Sequence, residues 1–372
     1  MKQFVLVAGF DYEFTGVDFR QLCENRRKRI ITANKAREEL RFTILDFRAG
    51  ETVEIAVTYP GGVKQEAKKQ TATFRPVGRS SYHTVTAPDG TTHVRFKPGQ
   101  FDTLSILDMY GAVVAIGTNA PGTLAELSVF SHAWAGGPIL VNSDNDRSVV
   151  VPAPPSIGGG GGTVTVALGS TTLRDPDDRD PRVELDFVPP TMDAGDRALF
   201  AKAFAKDALV WLWGCQATEA VHNVLNRLER SKEYRITGLG DEDEVTLTNL
   251  APKSVDFLEA VLLPLLKATF PKPRSTVTLK FKFVKFFACA ANRMSYAAHI
   301  ADVAKVETRA APMGTGANYD GGALPLMHVD PVYAAHFTFY RNYLNRKFDP
   351  DGRNYMIFVP GEGCAKPKKT TP

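Results

Sequence analysis

The fold is indicated first by an unbroken apolar run near the N-terminus, Gln-Phe-Val-Leu-Val-Ala-Gly (residues 3–9). A helical pattern follows from about Asp18 to Leu40, and then a second apolar run, Arg-Phe-Thr-Ile-Leu-Asp-Phe (residues 41–47). Strand, helix and strand in this order are typical of a parallel sheet, whose strands are apolar along their length because helices cover both faces. This opening predicts an α/β fold.

The same alternation continues along the chain. Helices are predicted at 104–116, 196–206, 254–267 and 295–304, and strands at 127–130, 208–213, 276–287, 306–310 and 355–359. Pro264 is expected to kink or end its helix. The pattern predicts one α/β domain over residues 1–360, with a mostly parallel sheet sandwiched by helices, and a flexible tail at 361–372.

Two stretches break the alternation and are expected to be insertions. Residues 51–99 are rich in Thr, Val, Gly and Pro and predict a β-rich excursion or hairpin. Residues 142–190 contain five consecutive glycines (158–162) and a polar run of Asp, Arg and Pro (174–181), which lack the apolar surface that a packed element buries. This Gly-rich insertion is expected to be mobile and to be cut first by a protease.

The composition is that of a globular protein, with 44% apolar and 23% charged residues. The formal net charge of +4 is small for 372 residues and does not indicate nucleic-acid binding. No run approaches the roughly 18 apolar residues of a membrane helix. Acidic Asp11 and Glu13 follow the short N-terminal run too closely for a signal peptide. A cytoplasmic protein is expected; export without a cleaved signal and the oligomeric state are left open.

Neither a cofactor nor a metal is predicted. The run Gly158–Gly162 lacks the Lys-Ser/Thr of a phosphate loop. Between His328 and His336 stands Pro331, which interrupts the helical spacing of a zinc site. The four cysteines show no spacing of a disulfide or metal framework, so all four are expected as thiols, with Cys289 in simple packing.

Polar residues follow two of the apolar strands. Leu-Ser-Val-Phe (127–130) leads to His132, and Val-Trp-Leu-Trp (210–213) leads to Cys215. The Gly-rich turn Pro312–Gly316 follows a third strand. In open α/β sheets, ligands collect beyond the carboxyl ends of the strands, so these positions are the candidates for a site.

His132 and Cys215 are the predicted working pair. A thiolate is a good nucleophile where an imidazole accepts its proton and a helix N-terminus stabilises its charge, and Thr218 is a suitable N-cap for the helix after Cys215. Each residue also has a structural interpretation, Cys215 as a small core residue and His132 as a hydrogen-bonded cap. Their shared position after apolar strands favours catalysis, although no third residue that would orient His132 is evident.

This arrangement resembles the caspase-like fold of the clan CD cysteine peptidases, which includes caspases, metacaspases, gingipains, separase and CHAT domains. In that group the catalytic histidine follows one hydrophobic strand and the catalytic cysteine follows the next. The matching segments here are 127–132 and 210–215, and the upstream order of elements extends the resemblance over residues 3–316. The family usually has glycine directly after the histidine, whereas this chain has Ala133, with Gly136 three residues further on.

The resemblance implies a cysteine hydrolase, a peptidase or amidase acting on a peptide or protein, in which Cys215 attacks a carbonyl carbon and His132 shuttles protons. Backbone N–H groups near Cys215 and Ala133 would hold the oxyanion. The further candidate residues of the cleft are Gly136, Gly214 and Gly314. Two alternatives stay open: a catalytically inactive caspase-like module that binds a protein partner, which Ala133 favours, and another α/β enzyme in which Cys215 is structural.

Overall fold

A computed structural model describes residues 1–86, 90, 92–97, 102–141, 143–144, 148–152, 163–167, 172–173, 186–189, 191–236, 238–266, 269–270 and 275–368. Its contacts divide the chain into two compact units. Unit 1 comprises Met1–His132 and Pro138–Ala208, and unit 2 comprises Ala133–Gly137 and Leu209–Pro372. A single domain over residues 1–360 stays a prediction.

The helices of the described residues are α1 (Phe19–Ala33), α2 (Ile106–Asn119), α3 (Ala194–Ala203), α4 (Glu219–Arg230), α5 (Lys232–Ile236), α6 (Pro252–Leu262), α7 (Phe281–Arg293), α8 (Tyr296–Ala304) and α9 (Ala334–Leu344). The strands are β1 (Lys2–Ala8), β2 (Leu40–Asp46), β3 (Glu51–Thr58), β4 (Gln65–Thr73), β5 (Tyr82–Thr86), β6 (Thr92–Phe96), β7 (Leu124–Phe130), β8 (His132–Trp134), β9 (Gly137–Ile139), β10 (Ser143–Asp144), β11 (Ser148–Pro152), β12 (Thr163–Ala167), β13 (Thr172–Leu173), β14 (Phe204–Leu212), β15 (Glu244–Leu247), β16 (Val277–Lys280), β17 (Glu307–Ala310), β18 (Ala317–Tyr319), β19 (Met327–Val329) and β20 (Met356–Phe358).

These elements make an α/β protein with a mixed, mostly parallel sheet of eight strands, flanked by helices and accompanied by small hairpins. The α/β class and the mostly parallel sheet predicted from the sequence are confirmed at this level. Within the part of the chain that the structure describes, no helix is long and apolar enough to cross a bilayer.

Unit 1 contains five neighbouring strands of the sheet, in the order β7-β1-β2-β3-β4. β1 runs parallel to both β2 and β7, with Ala8 opposite Asp46 on one side and Phe130 on the other. Residues 5–7 of β1 have no solvent-exposed surface, and both α1 and α2 pack against this strand. The unbroken apolar run therefore forms a central strand, as its composition predicts.

Both of these helices begin at a capped residue. The Asp18 carboxylate accepts the N–H of Gln21 at 2.9 Å, which satisfies one of the unpaired donors at the start of α1. At the start of α2, the N–H of Ser105 donates to Asp108 at 2.8 Å, as part of a capping box. α1 ends at Ala33 rather than near Leu40, because the chain turns after Asn34 and continues into β2.

The two predicted insertions have different outcomes. Within 51–99, β3 and β4 form a hairpin that extends the sheet antiparallel to β2, so this stretch is β-rich as predicted and its first part belongs to the sheet. Most of 142–190, including the five glycines, lies outside the described residues, and its protease sensitivity stays a prediction. The sequence indicated no regular element there, but β11 pairs antiparallel with β12. Both strands are rich in valine and threonine, which favour extended structure.

A close approach between α2 and α3 in unit 1 provides a test of the packing. Gly117 is buried on α2, and a Cβ at this position would lie 1.9 Å from the carbonyl oxygen of Leu199 on α3. We expect Gly117→Ala to lower the free energy of unfolding by about 1–3 kcal/mol, because the helices must separate to admit a methyl group. Urea unfolding of the variant measures this change.

The matched control is Gly111→Ala on the same helix. Nothing lies within 4 Å of the Cβ position at Gly111. Alanine is the better helix former, so this substitution should raise the free energy of unfolding by about 0.5–1 kcal/mol. Equal effects of the two substitutions would contradict the close contact at Gly117.

Unit 2 contains the sheet strands β17 and β20 and the part of β14 from Leu209 onward. β14 runs parallel to β17, and β20 pairs antiparallel with β17 at the edge. Beside them, Trp211 and Trp213 stack with ring centroids 4.2 Å apart, and Tyr355 meets each ring edge-on at 5.4 Å. The Tyr355 hydroxyl donates to the carbonyl oxygen of Trp213 at 2.6 Å. These contacts hold the end of β14 directly before Cys215.

The strand predicted over 276–287 is wrong for most of its length. Only β16 is extended, and α7 begins at Phe281. The buried residues of this helix recur at spacings of three and four, as in Phe281, Val284 and Ala288. The sequence of this stretch is therefore compatible with one apolar face of a helix as well as with an alternating strand. The neighbouring helix α6 ends at Leu262, before Pro264, as predicted.

The expectation of four thiols is also wrong. Cys289 on α7 and Cys364 in the C-terminal segment form a disulfide, with Cα atoms 5.9 Å apart. The same segment is held by Asp302, which accepts the N–H of Gly361 at 2.6 Å, and by an ion pair between Arg346 and Glu362. Two isolated cysteines 75 residues apart carry no spacing signal, so only the fold shows that they meet.

Candidate functional site

His132 has a carboxylate partner that the sequence analysis missed. The Nε2 atom of His132 lies 2.8 Å from Oδ1 of Asp11. Asp11 comes three residues after the end of β1, and His132 comes two residues after the end of β7. Because these strands are parallel neighbours, with Ala8 opposite Phe130, residues that follow their carboxyl ends meet. The adjacency of the first and third predicted strands is the signal that could have identified Asp11.

The loop after β1 holds the Asp11 side chain in place. Its Oδ1 accepts the hydroxyl of Thr15 at 3.2 Å, and its Oδ2 accepts the N–H of Gly16 at 2.8 Å. The His132 ring is packed edge-on against Tyr12 and Phe19, with centroids at 4.8 and 5.2 Å. The carboxylate and the imidazole are therefore both held in one orientation.

This contact selects the tautomer of His132. A carboxylate only accepts hydrogen bonds, so Nε2 of His132 carries the proton that it donates to Asp11. The lone pair of the neutral ring then lies on Nδ1, which is 3.8 Å from Oε2 of Glu13. His132 thus presents a basic nitrogen whose opposite side is oriented by a carboxylate, an arrangement suited to proton transfer.

A cavity of about 450 Å³ opens beside Asp11 in unit 1. Apolar side chains and charged groups of both signs line it, as in many ligand pockets of this size. The apolar lining includes Phe10, Phe14, Val17, Phe19 and Val77, and the charged lining includes Asp11, Asp18, Arg20, Arg48 and Arg79. Since Phe19 also contacts the His132 ring, the cavity and the histidine share a wall.

Cys215 lies in unit 2, in the turn between β14 and α4. Its side chain is partly exposed and is not oxidised to a disulfide. The N–H of Ala317 donates to Sγ at 3.1 Å, a contact that stabilises a thiolate more than a thiol. The segment around Ala317 is joined to this turn, because the N–H of Gln216 donates to the carbonyl of Thr315 at 3.1 Å.

Thr218 occupies the N-cap position of α4, as predicted, but its side chain does not cap the helix. Its hydroxyl points instead to Sδ of Met313, at 3.0 Å. Cys215 precedes the first residue of α4, Glu219, by four positions. The sequence predicted Cys215 at the N-terminus of the helix, whereas in the structure residues 216–218 separate Cys215 from the first residue of α4.

The other cysteines are unsuited to nucleophilic chemistry. Cys23 on α1 has no exposed surface, and burial raises the pKa of its thiol well above the ordinary value. Cys289 and Cys364 are joined to each other. Cys215 is therefore the one thiol with solvent access among the cysteines that the structure describes.

The other predicted site residues are Ala133, Gly136, Gly214 and Gly314. Ala133 and Gly136 belong to unit 2, where a Cβ on Gly136 would lie 2.5 Å from the Trp134 ring. Gly214 is buried between the aromatic end of β14 and Cys215. Gly314 has a φ of +85°, and its N–H already donates to the carbonyl of Gln216 at 2.9 Å, so that N–H is not available to an oxyanion.

No metal site is evident among the residues that the structure describes. Across the residues covered by the structure, no three His, Cys, Asp or Glu side chains are grouped so that they could hold an ion. His328, considered above with His336, pairs instead with Asp320 at 3.0 Å.

The chain has no match among known families, curated proteins or solved structures.

Proposed function

We propose that this protein is a cysteine hydrolase, a peptidase or amidase, in which Cys215 is the nucleophile and His132 is the general base. The observation that carries the proposal is the 2.8 Å contact between Asp11 and His132, because it supplies the orienting group that a catalytic imidazole needs. The contact of the Ala317 N–H with Cys215 supports it from the side of the nucleophile. We also propose that the fold is caspase-like, as the resemblance of segments 127–132 and 210–215 implies.

In this mechanism Nδ1 of His132 accepts the proton of the Cys215 thiol, and the thiolate attacks the carbonyl carbon of a peptide or amide. The tetrahedral intermediate collapses to a thioester, and His132 gives the proton to the leaving amine. A water molecule, deprotonated by the same nitrogen, then hydrolyses the thioester and restores the thiol. Asp11 stabilises the imidazolium that forms in each half of the reaction. Backbone N–H groups at Ala133 and Gly214 are the proposed oxyanion donors.

A second candidate is a catalytically inactive module that binds a protein partner. Sγ of Cys215 faces both backbone groups of Ala317, the N–H at 3.1 Å and the carbonyl oxygen at 3.8 Å. A cysteine with a purely structural role would make the same contacts with its own backbone. The two candidates differ in whether the reactivity of Cys215 depends on Asp11 and His132.

Alkylation by iodoacetamide at pH 7 tests this dependence. We expect Cys215 to be labelled first and faster than an ordinary thiol, which is only a few per cent thiolate at this pH. Asp11→Asn should slow the labelling about 10-fold or more, because an amide can donate to Nε2 and force the proton onto Nδ1, where the base is needed. Peptide mapping of the alkylated protein identifies the labelled cysteine.

Asp102→Asn is the matched control in the same unit. Its carboxylate is exposed and pairs only weakly with Arg75, at 3.5 Å, so the substitution should leave the alkylation rate unchanged. If Cys215 in the Asp11→Asn and His132→Ala variants reacts as fast as in the wild-type protein, the thiol does not use this base. The binding module is then the better description.

A further inference from the structure

The disulfide of unit 2 joins two cysteines that have different surroundings. Cys289, on α7, is 6% exposed. Cys364, in the C-terminal segment, is partly exposed and lies between the small, exposed residues Gly363 and Ala365. Thiol–disulfide exchange begins when a thiolate attacks one of the two sulfurs, so access decides which sulfur is attacked. A thiol from solution reaches Cys364 more readily than Cys289.

The buried sulfur is in contact with a guanidinium group. Nη2 of Arg346 donates to Sγ of Cys289 at 3.0 Å. The Arg346 side chain is 7% exposed, so this contact is made inside the protein. The backbone N–H of Arg346 donates to the carbonyl of Tyr340 at 3.0 Å, which ties the residue back to α9. The fold therefore holds a cation beside Cys289.

The contact with Arg346 becomes stronger when the disulfide is reduced. A disulfide sulfur is an uncharged and weak acceptor, whereas a thiolate is an anion that forms a charge-assisted hydrogen bond with a guanidinium. Arg346 keeps its charge over the whole range in which a thiol titrates. An opposite charge at contact distance favours the charged form of an ionisable group by a factor of about 10 or more. Arg346 therefore stabilises Cys289 more as a thiolate than as half of a disulfide.

The other charged groups around Cys289 leave the local balance positive. Cys289 borders a cavity of about 410 Å³, to which Tyr343 contributes an uncharged phenol. Glu242, outside the lining, pairs with Lys282 and offsets its charge. The cavity also gives the sulfur of Cys289 room for water, which a thiolate needs and a packed core does not provide. The charged groups of the lining are Asp241, Lys282, Lys285, Arg346, Glu362 and Lys366.

We propose that Cys289–Cys364 is a thiol–disulfide exchange site whose partner is a dithiol, a molecule or protein that carries two neighbouring thiols. A thiolate of the dithiol attacks Sγ of Cys364. The bond between the two protein sulfurs breaks, and its electron pair leaves with Cys289 as a thiolate that Arg346 stabilises. The second thiolate of the dithiol then attacks its own first sulfur and releases Cys364. The dithiol is oxidised to a disulfide by two electrons, and its two protons remain for the two protein thiols.

The partner is a dithiol because the two protein sulfurs stay close together. After the first step Cys289 is a thiolate beside the mixed disulfide on Cys364, and the Cα atoms of the two residues are 5.9 Å apart in the oxidised protein. A monothiol would be expelled by the reverse attack of Cys289, whereas the second thiol of a dithiol completes the reduction. The exchange site does not involve Cys215 and does not rest on the proposed function.

Reduction of the full chain by dithiothreitol tests the role of Arg346. Arg346→Gln should slow the reduction at pH 7 about 5-fold or more, because a thiolate that has lost its stabilising charge is a poorer leaving group. Acid quenching at intervals, alkylation of the thiols and peptide mapping measure the rate at Cys289 and Cys364 separately from the other cysteines.

Glu362→Gln is the matched control for this substitution. It breaks the same ion pair as Arg346→Gln but leaves the guanidinium in contact with Cys289. We therefore expect Glu362→Gln to be reduced no more slowly than the wild-type protein. Equal slowing in the two variants would overturn the proposal, because the ion pair with the C-terminal segment, and not the charge beside Cys289, would then set the rate.

A second measurement uses the wild-type protein and needs no substitution. The ultraviolet absorbance of thiolates is followed against pH in the reduced and in the oxidised protein. The difference belongs to Cys289 and Cys364, because Cys23 and Cys215 are thiols in both forms. We expect one of the two sulfurs to form its thiolate well below pH 8.5, about the midpoint of a free cysteine, and Arg346→Gln to move that midpoint upward. Two sulfurs that both titrate at or above the ordinary midpoint would overturn the proposal.

Discussion

Cys215→Ala should abolish hydrolysis, with a loss of about a thousand-fold or more, while the protein stays folded. The substitution removes the only atom that can form the acyl-enzyme in the proposed mechanism. Its structural cost is small, because the side chain is partly exposed and its contacts with the backbone N–H and carbonyl of Ala317 are each worth about 1 kcal/mol. Turnover of a panel of fluorogenic peptide amides and a thermal melt together measure the two effects.

His132→Ala should cost nearly as much, and the double variant should be no worse than Cys215→Ala alone. Residues that act in one chemical step do not contribute independently, so their losses do not add. Cys23→Ala is the matched control, since it removes the other unoxidised sulfur, which has no exposed surface. It should lower stability through a small cavity and leave turnover intact. Retained turnover in Cys215→Ala would reject the nucleophile.

The strands that border these residues could be predicted because they are buried on both faces. β1, β7 and β14 appear in the sequence as short apolar runs, each followed within three residues by a polar or thiol side chain. This pattern does not depend on which strands are neighbours in the sheet. The fold class follows from the same runs. The apolar residues in 276–287 fit both the helical and the strand period, so the sequence alone does not decide between helix and strand. For this reason helix α7 was not predicted.

The contacts between distant residues could not be predicted in the same way. Asp11 and His132 are 121 residues apart, and their pairing depends on β1 and β7 being neighbours in the sheet. The contact of His336 on α9 with Glu229 on α4 depends on these two helices lying side by side, and His336 was considered only as a possible metal ligand. Strand order and helix neighbours are set by tertiary packing, which a single sequence does not display.

The Cys289–Cys364 disulfide leads to a second prediction of large effect. It closes a loop of 75 residues, from α7 to the C-terminal segment, and so restricts the unfolded chain as well as the native one. A disulfide typically contributes about 2–4 kcal/mol of stability, mainly because it restricts the unfolded chain. We expect Cys289→Ala combined with Cys364→Ala to lower the free energy of unfolding by this amount, as measured by urea unfolding without a reducing agent.

Two further comparisons separate the link from local packing. A reducing agent should lower the stability of the wild-type protein to that of the double variant and leave the double variant unchanged, because the effect comes from the covalent bond. The polar contacts of the segment remain in both cases, namely Gly361 with Asp302 and Glu362 with Arg346. They should keep the segment in place in the reduced protein and delay, without preventing, its cleavage by a protease, since a hydrogen bond to a charged group contributes only about 1.5–3 kcal/mol. If reduction leaves the midpoint of urea unfolding unchanged, Cys289 and Cys364 are not joined in solution and the C-terminal segment is held by these contacts alone.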